Sequence, residues 1–344
     1  MKIRSIAAIA LASVAAISLT ACRDSRDTGS GASTDVKIMV GGIDKVIYLP
    51  AKLTEQLGYF KDQGLNVQLL TEPAGATAEN TLISGDVQGV VGFYDHTIDL
   101  QTKGKCITSV VQFADVPGEV EVVGAAQADK IKSPADFKGR KLGFTSPGSS
   151  TDFLTQYLAT KNGVATTEYT GVKAGAGQTF VAALDQGGID AGMTTDPTVA
   201  QLVSTGKGKV LVDMRTVEGT KAALGGLYPA SSLYMDCKYV NDHKDVVQKL
   251  ANAFVKTLGF VNSHSAEEIA AKMPADFANG GKELYAKSIN DTKPMFNRDG
   301  KMKAEGARNV LDVLSQFSPN VKGRKDSVDL AKTYTTEFAD KAAG

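Results

Sequence analysis

Short apolar runs alternate with helical patterns along most of the chain. From residue 36 onward, VKIMV, NVQLL, QGVVGF and ITSVVQF have the length and β-branched content of strands, and the segments between them repeat apolar residues at helical spacing. The same order restarts with RKLGF, EYTGVK, IDAGMT and KVLVDM. Strands that alternate with helices predict an α/β fold with two open, mostly parallel sheets, each flanked by helices.

The two series are similar in detail as well as in order. Allowing one gap, LISGDVQGVVGFYDHT and LDQGGIDAGMTTDPT bring Leu82 into step with Leu184, and Asp95 into step with Asp196. Duplication of one unit and the shared physics of βαβ units both explain this match. Under either explanation, the chain contains two lobes with the same plan.

The crossovers between the lobes are expected near residues 114–133 and 225–233. We therefore assign residues 35–115 and 235–344 to lobe 1, and residues 116–234 to lobe 2. Beyond residue 244 the pattern is helical, and one helix has an apolar face that includes Val247, Leu250 and Phe254. We expect this helix to pack on lobe 1.

The N-terminus has the pattern of an export signal. Lys2 and Arg4 precede an apolar run at residues 6–19, and LTAC, ending at Cys22, resembles the lipobox of bacterial lipoproteins. A plain signal followed by an incidental cysteine is the alternative. Residues 22–34 contain no large aliphatic side chain and predict a flexible linker. We expect residues 1–21 to be removed and the protein to be extracytoplasmic, held by lipid at the outer face of the cytoplasmic membrane or in the periplasm.

Charge and motifs exclude several classes of function. The 38 basic and 38 acidic residues give a formal net charge of +0, and no basic cluster stands out, so we expect no nucleic-acid partner. No Gly-x-Ser-x-Gly, Walker A, HExxH or Cys-x-x-Cys motif occurs. We therefore expect no catalysis, no cofactor and no bound metal.

Two cysteines remain after Cys22, namely Cys106 and Cys237. Cys106 begins a predicted strand of lobe 1, and Cys237 ends the strand that returns to this lobe. If these strands are antiparallel neighbours, the two thiols lie close together, and export favours a disulfide between them. Two buried, apolar-like thiols are the alternative.

Several segments, taken in order, carry a family resemblance. YLPAKLTEQLGYFKDQGLNVQLL, LISGDVQGVVGF, SPADFKGRKLGFTSPGSSTDFLTQYLATKNGV and AALDQGGIDAGMTTDPTVAQLVSTGKGKVLVDM together resemble the nitrate/sulfonate/taurine solute-binding proteins of ABC importers. Their superfamily also includes binders of thiamine pyrimidine precursors and related pyrimidine-synthesis enzymes. The resemblance implies a two-lobed type II periplasmic-binding-protein (Venus-flytrap) fold, a monomer, and ABC permease subunits as partners. A synthase-like enzyme and a ligand-sensing subunit of a signalling receptor are the alternatives.

Ligands of open α/β sheets bind beyond the carboxyl ends of the strands, so the loops that follow the strands are candidate sites. These loops are GGIDKVIY, FYDHT, TSPGSST and TTDPT, to which we add a tyrosine of the second crossover. The candidate ligand-binding residues are Asp44, Tyr48, Phe93, Tyr94, Asp95, His96, Ser146, Ser149, Ser150, Thr151, Thr194, Thr195, Asp196 and Tyr228. Capping of helix N-termini is the alternative role for Ser149, Asp95 and Asp196, and packing is the alternative for the tyrosines.

The chemistry of these loops favours one class of solute. They contain Lys45 but no arginine, together with aspartates and aromatic rings such as Phe93 and Tyr94. Carboxylates beside aromatic faces suit an aromatic or heterocyclic solute, such as a pyrimidine-type precursor, better than a bare oxyanion. Backbone N–H groups at helix starts keep the oxyanion alternative open.

Overall fold

The computed structural model describes residues 34–342. The predicted signal peptide, the lipidation at Cys22 and all of the predicted linker except Thr34 lie outside the described residues. Within residues 34–342, no helix combines the length and the apolar character that crossing a bilayer requires.

Ten strands in the described part of the chain form two five-stranded sheets. They are β1 (Asp35–Val40), β2 (Asn66–Thr71), β3 (Gly89–Phe93), β4 (Ile107–Gln112), β5 (Glu119–Gly124), β6 (Lys141–Phe144), β7 (Thr170–Lys173), β8 (Ala191–Thr195), β9 (Gly208–Asp213) and β10 (Ser231–Asp236). The α-helices of the same part are α1 (Leu49–Gln56), α2 (Tyr59–Asp62), α3 (Gly75–Ile83), α4 (Asp95–Thr102), α5 (Ser150–Lys161), α6 (Gln178–Asp185), α7 (Thr198–Ser204), α8 (Val217–Leu224), α9 (Cys237–Asp242), α10 (Lys244–Ser263), α11 (Ala266–Ala270), α12 (Lys282–Thr292), α13 (Ala304–Phe317) and α14 (Glu337–Lys341).

The two sheets have the same plan. The strand order is β2-β1-β3-β10-β4 in the first sheet and β7-β6-β8-β5-β9 in the second. In each sheet four strands run parallel, and one strand, β10 or β5, is antiparallel to both of its neighbours. The prediction of two open, mostly parallel sheets with flanking helices is confirmed.

The two antiparallel strands are those through which the chain passes between the sheets. β5 follows the last parallel strand of the first sheet, and β10 returns the chain from the second sheet. Because an antiparallel strand starts where its neighbours end, its first residue lies at their carboxyl edge. Thus Glu119 is opposite Thr195, the last residue of β8, and Ser231 is opposite Phe93, the last residue of β3.

Each sheet has its own apolar core. Leu82 packs with Val90 and Leu100 under the first sheet, and Leu184 occupies the corresponding core of the second sheet. Each such fully buried side chain contributes about 2 kcal/mol through removal of apolar surface from water. Leu82 and Leu184, which the sequence alignment of the two series brings into step, therefore have the same structural role.

The helices beyond β10 contact both halves of the molecule. α10 lies against α1, α2 and β4, where Phe254 meets Phe60 with ring centroids 5.3 Å apart. α12 contacts α7, and α13 contacts α5, so these two helices also meet elements of the second sheet.

A disulfide joins Cys106 and Cys237, with a Cα–Cα distance of 5.4 Å. The backbone N–H of Cys237 also donates to the carbonyl oxygen of Cys106 at 3.0 Å. The bond fastens the start of β4 to the end of β10, its antiparallel neighbour in the first sheet.

Candidate functional site

A cleft lies between the carboxyl edges of the two sheets. It is lined by Lys45, Ile47, Tyr48, Gly75, Glu119, Thr145, Ser149, Ser150, Thr151, Gly175, Ala176, Met193, Thr194 and Thr195. It contains about 370 Å³ of atom-free space, but the centre of a water molecule can reach only about 20 Å³ of this. That is room for about one ordered water. The cleft is therefore contracted, and its sides must separate before a larger solute can occupy it.

Asp95 connects the two sides of this cleft. Its Oδ1 accepts a hydrogen bond from Ser150 Oγ of α5 at 2.9 Å, and its Oδ2 accepts one from Tyr228 OH at 2.8 Å. The carboxyl group is fully buried, and burial raises its pKa against the opposing effects of His96 and the two hydroxyls. Asp95 makes no side-chain cap at the start of α4, so its hydrogen bonds join elements distant in the chain.

His96 forms a buried charged pair beside the cleft. Its Nδ1 lies 3.1 Å from Glu79 Oε2, and its ring lies 5.9 Å from the ring of Phe153 on α5. Burial by itself would lower the pKa of His96, but the carboxylates of Glu79, Asp95 and Asp99 outweigh it and raise the pKa to about 9. The imidazole is therefore protonated at neutral pH.

The side of the His96 ring that carries Nε2 faces the backbone of α3. A Cβ atom at Gly75 would come within 2.8 Å of Nε2, so only glycine leaves space for the ring there. Nε2 has no hydrogen-bond partner among the described residues. Because Gly75 lines the cleft, this nitrogen is close to the cleft wall.

Lys45 is a buried cation that lines the cleft. Its Nζ donates to the carbonyl oxygens of Gly41 at 2.8 Å and Pro73 at 2.9 Å. Burial lowers the pKa of Lys45 to about 8, although Asp44 and Glu119 oppose this change. Two of the three ammonium donors are thus fixed by the backbone, which leaves one for a ligand.

Glu119 is a cleft residue that the sequence interpretation missed. Its side chain is almost fully buried, and its Oε2 has no hydrogen-bond partner within the described part of the chain. Burial, with the nearby carboxyls of Asp95 and Glu121, raises its pKa well above the ordinary value, and Lys45 only partly opposes this. The available signal was an acidic residue at the start of an otherwise apolar strand, EVEVVG.

Hydroxyl groups line most of the second sheet's side of the cleft. Ser149 Oγ donates to the carbonyl oxygen of Ser146 at 2.6 Å and lies 2.8 Å from Thr151 Oγ1, while the backbone N–H of Thr145 donates to Thr151 Oγ1. Gly148, with φ of +80°, allows the turn that brings these groups together. Thr194 and Thr195 add two more hydroxyls from the end of β8.

The aromatic candidates occupy three different positions. Tyr48 lines the cleft, and Phe93 supports it from behind, with ring centroids 6.3 Å apart. Tyr228 lies behind Asp95 and holds it. Tyr94 corrects our expectation of a stacking face, because its hydroxyl pairs with Thr333 at 2.6 Å and its ring packs against the C-terminal segment.

Three other candidates lie away from the cleft lining. Asp196 is fully buried, and its carboxylate accepts hydrogen bonds from Arg215 Nη1 at 2.9 Å and Thr292 Oγ1 at 3.0 Å, so it is not available to a solute. Asp44 is exposed and borders a neighbouring groove. Ser146 supports the loop through its backbone but is not among the lining residues. No group of three or more potential metal ligands occurs within residues 34–342.

Known proteins share both the sequence pattern and the fold. The family model described as NMT1/THI5 like matches residues 48–268. A 4-amino-5-hydroxymethyl-2-methylpyrimidine phosphate synthase of Saccharomyces cerevisiae is 30% identical over 149 residues. That match covers 42% of this chain and 42% of the synthase, so it extends over less than half of the relative's length.

Solved structures match almost the whole chain. A protein of Bordetella bronchiseptica RB50 has 33% identity and a TM-score of 0.86, and the match covers 90% of this chain and 96% of that one. The periplasmic aliphatic sulphonate binding protein SsuA of Escherichia coli has 21% identity and a TM-score of 0.65, with 87% and 96% covered. The two-lobed periplasmic-binding-protein fold and the resemblance that implied it are confirmed. The chain belongs to the NMT1/THI5-like family.

Proposed function

We propose that this chain is the extracytoplasmic, lipid-anchored solute-binding component of an ABC importer. The observation that carries the proposal is the contracted cleft, whose sides come from different sheets and are joined by the hydrogen bond from Ser150 to Asp95. A solute that contacts both sides stabilises a closed form that encloses it, wider than this contracted one, relative to an open form. A membrane permease can then distinguish the loaded protein from the empty one.

The lining supports a small organic solute with an aromatic or heterocyclic ring. Tyr48, Ile47 and Met193 provide apolar surface, while hydroxyls, the Lys45 ammonium and the Glu119 carboxyl provide polar contacts. The signal-like N-terminus supports export and anchoring, and the sulphonate-binding neighbour supports capture outside the cytoplasm.

A thermal-shift panel tests solute binding. Protein lacking residues 1–21 would be unfolded and refolded to remove any co-purified molecule. It would then be mixed with nitrate, ethanesulfonate, taurine, benzoate and 4-amino-5-hydroxymethyl-2-methylpyrimidine. We expect a ring-containing solute to raise the melting temperature in proportion to the logarithm of its concentration. The proposal fails if no solute of this panel, nor any from a wider metabolite library, changes the melting temperature.

The synthase relative supports a second candidate, an enzyme that acts on a pyrimidine precursor. Mass spectrometry of the bound solute separates the two functions. Recovery of the unchanged solute after long incubation supports binding alone, whereas its conversion supports catalysis.

Anchoring has its own test, the variant Cys22→Ser. We expect the unaltered protein to sediment with membranes and to be released by detergent, because acyl chains hold it there. The variant should remain in the soluble fraction, or stay with membranes only in a form whose mass includes residues 1–21. Equal distribution of the two proteins, both without residues 1–21, would contradict the anchor.

A further inference from the structure

Two residues of the cleft lining carry an ammonium or a carboxyl group, Lys45 and Glu119, and they differ in how they are held. The Lys45 ammonium is fixed by two backbone oxygens. The Glu119 carboxyl is 2% exposed, and its Oε2 has no hydrogen-bond partner among the described residues. A buried polar group without a partner is costly, so a group aimed into a binding cleft is most readily explained by a partner that the ligand supplies.

The strand register places this carboxyl at the cleft. Glu119 is the first residue of β5 and lies opposite Thr195, which also lines the cleft. Side chains alternate along a strand, and Val120 and Val122 point into the core of the second sheet. Glu119 and Glu121 therefore share the other face, but Glu121 lies opposite Met193, one step deeper, and is not part of the cleft lining.

Cations lie near Glu119 without pairing with it, and Lys45 and His96 only partly oppose the rise in its pKa. Within residues 34–342 no ion pair joins it to Lys45 or to another cation, and His96 pairs with Glu79 instead. Asp95 and Glu121 contribute further acidic groups nearby. None of the described residues that line the cleft is an arginine. A bare oxyanion in this position would therefore face a carboxyl without a compensating guanidinium.

We propose that Glu119 determines the selectivity of the cleft by accepting hydrogen bonds from an N–H-bearing, cationic or amidine-like edge of the solute and by excluding bare oxyanions. This inference rests on the proposed binding function, and it assigns the solute's donor edge to the β5 side of the cleft. A planar nitrogen edge matches the two oxygens of this carboxyl group. A cationic edge would favour its ionised form against the effect of burial, and such charge-assisted pairs are among the strong hydrogen bonds of proteins.

Benzamidine and benzoate form a matched pair of probes, since the two have the same ring and opposite charge. Isothermal titration of the refolded full-length mature chain should give measurable binding of benzamidine and weaker or no binding of benzoate. In Glu119→Gln, a change that keeps the shape and removes the acid, benzamidine affinity should fall by about 10- to 100-fold. Benzoate affinity should rise, because the amide nitrogen can donate to it.

Glu121→Gln is the matched control. This carboxyl is fully buried on the same face of the same strand, and both of its oxygens lack partners among the described residues, but it does not reach the cleft. We expect the affinity of the Glu121→Gln variant for each probe to remain within twofold of the affinity of the unaltered protein. If Glu119→Gln does not fold, Glu119→Asp keeps the charge but retracts it, and should weaken benzamidine while still excluding benzoate.

Three results would overturn the inference. They are a benzamidine affinity in Glu119→Gln within twofold of the unaltered protein, equal binding of benzoate and benzamidine by the unaltered protein, and no binding of benzamidine at all. The importer proposal survives each of these if another solute of the wider panel raises the melting temperature. It fails independently if none does.

Discussion

The first sheet brings a neutral hydroxyl to the carboxyl edge where the second sheet brings an acid. Ser231 and Glu119 occupy equivalent positions. Each is the first residue of the antiparallel strand of its sheet, and each faces the last residue of the neighbouring strand, β3 for Ser231 and β8 for Glu119. Yet Glu119 lines the cleft, and Ser231 does not. The two sheets thus have the same strand plan, but this one side chain gives the second sheet an acidic group where the first sheet has a hydroxyl.

A second equivalent pair differs in its partners. Asp95 and Asp196 both follow the third strand of their sheet and are fully buried. Asp95 accepts hydrogen bonds from hydroxyls across the cleft, whereas Asp196 pairs with Arg215 and Thr292. The first aspartate joins the two sides of the cleft, and the second links the end of β8 to Arg215 and to the last residue of α12. The alignment of Asp95 with Asp196 thus predicts that both are buried, but it does not predict their partners or their roles.

The largest expected effect is loss of the carboxylate of Asp196. Asp196→Ala leaves Arg215 without its buried partner and should lower the free energy of unfolding by about 3 to 5 kcal/mol. Urea denaturation followed by circular dichroism measures this. Asp213→Ala is the control, because that carboxylate also pairs with Arg215 but is 38% exposed, and we expect less than about 1 kcal/mol. Equal losses would mean that burial of Asp196 has no special role.

Removal of the disulfide should destabilise the first sheet, because the bond fastens two of its strands. The bond closes a loop with a sequence separation of 131 residues, so the double variant Cys106→Ala and Cys237→Ala should lower the free energy of unfolding by about 2 to 4 kcal/mol. The unaltered protein with and without reductant is the control. An unchanged denaturation midpoint in the double variant would contradict a stabilising role.

A smaller effect is expected at the hydrogen bond that crosses the cleft. Ser150→Ala removes the donor to Asp95 and should shift the closed form toward an open one by about 1 kcal/mol. Small-angle scattering should then give a larger radius of gyration. Ser149→Ala is the matched control, since Ser149 bonds within its own loop. A larger radius in both variants, or in neither, would argue against a specific latch.

The smallest expected effect is a change in the slope of stability with pH. The folded-state pKa of His96 is raised from 6.5 to about 9, so its stabilising contribution is complete below pH 6.5 and is lost as the pH rises through 9. Glu119 has the same sign, because its raised pKa means that stability is lost as the pH rises above the ordinary value of 4.5. The melting temperature of His96→Gln between pH 6 and 9, and that of Glu119→Gln from pH 4.5 upward, should each fall less steeply than that of the unaltered protein.

Periodicity in the sequence predicted the elements and the plan of both sheets. Alternating strand and helix patterns locate β1 to β4 and β6 to β9, and the aligned residues Leu82 and Leu184 mark equivalent cores. The loops chosen by the switch-point rule include Tyr48, Ser150 and Thr194, which line the candidate cleft. Such features depend on local pattern and on general rules of sheet topology.

Side-chain partners could not be predicted in the same way. Whether Asp196 meets a solute or pairs internally depends on Arg215, which follows β9, and on the packing of α12, which begins 86 positions after Asp196 and supplies Thr292. Tyr94 turns toward Thr333 for a similar reason. Glu119 was missed because it belongs to a strand rather than a loop, and its place at the cleft follows only from the antiparallel direction of β5.

The same direction of β5 offers a route to an optical sensor. Glu119 is preceded directly by the connection between β4 and β5, so the side chain that meets the cleft and the segment that links the sheets are covalent neighbours. An environment-sensitive dye on a cysteine introduced at Asp115, the residue of this connection that is not fully buried, would sit beside that junction. Its fluorescence would convert occupancy of the cleft into a signal without any change to the lining residues.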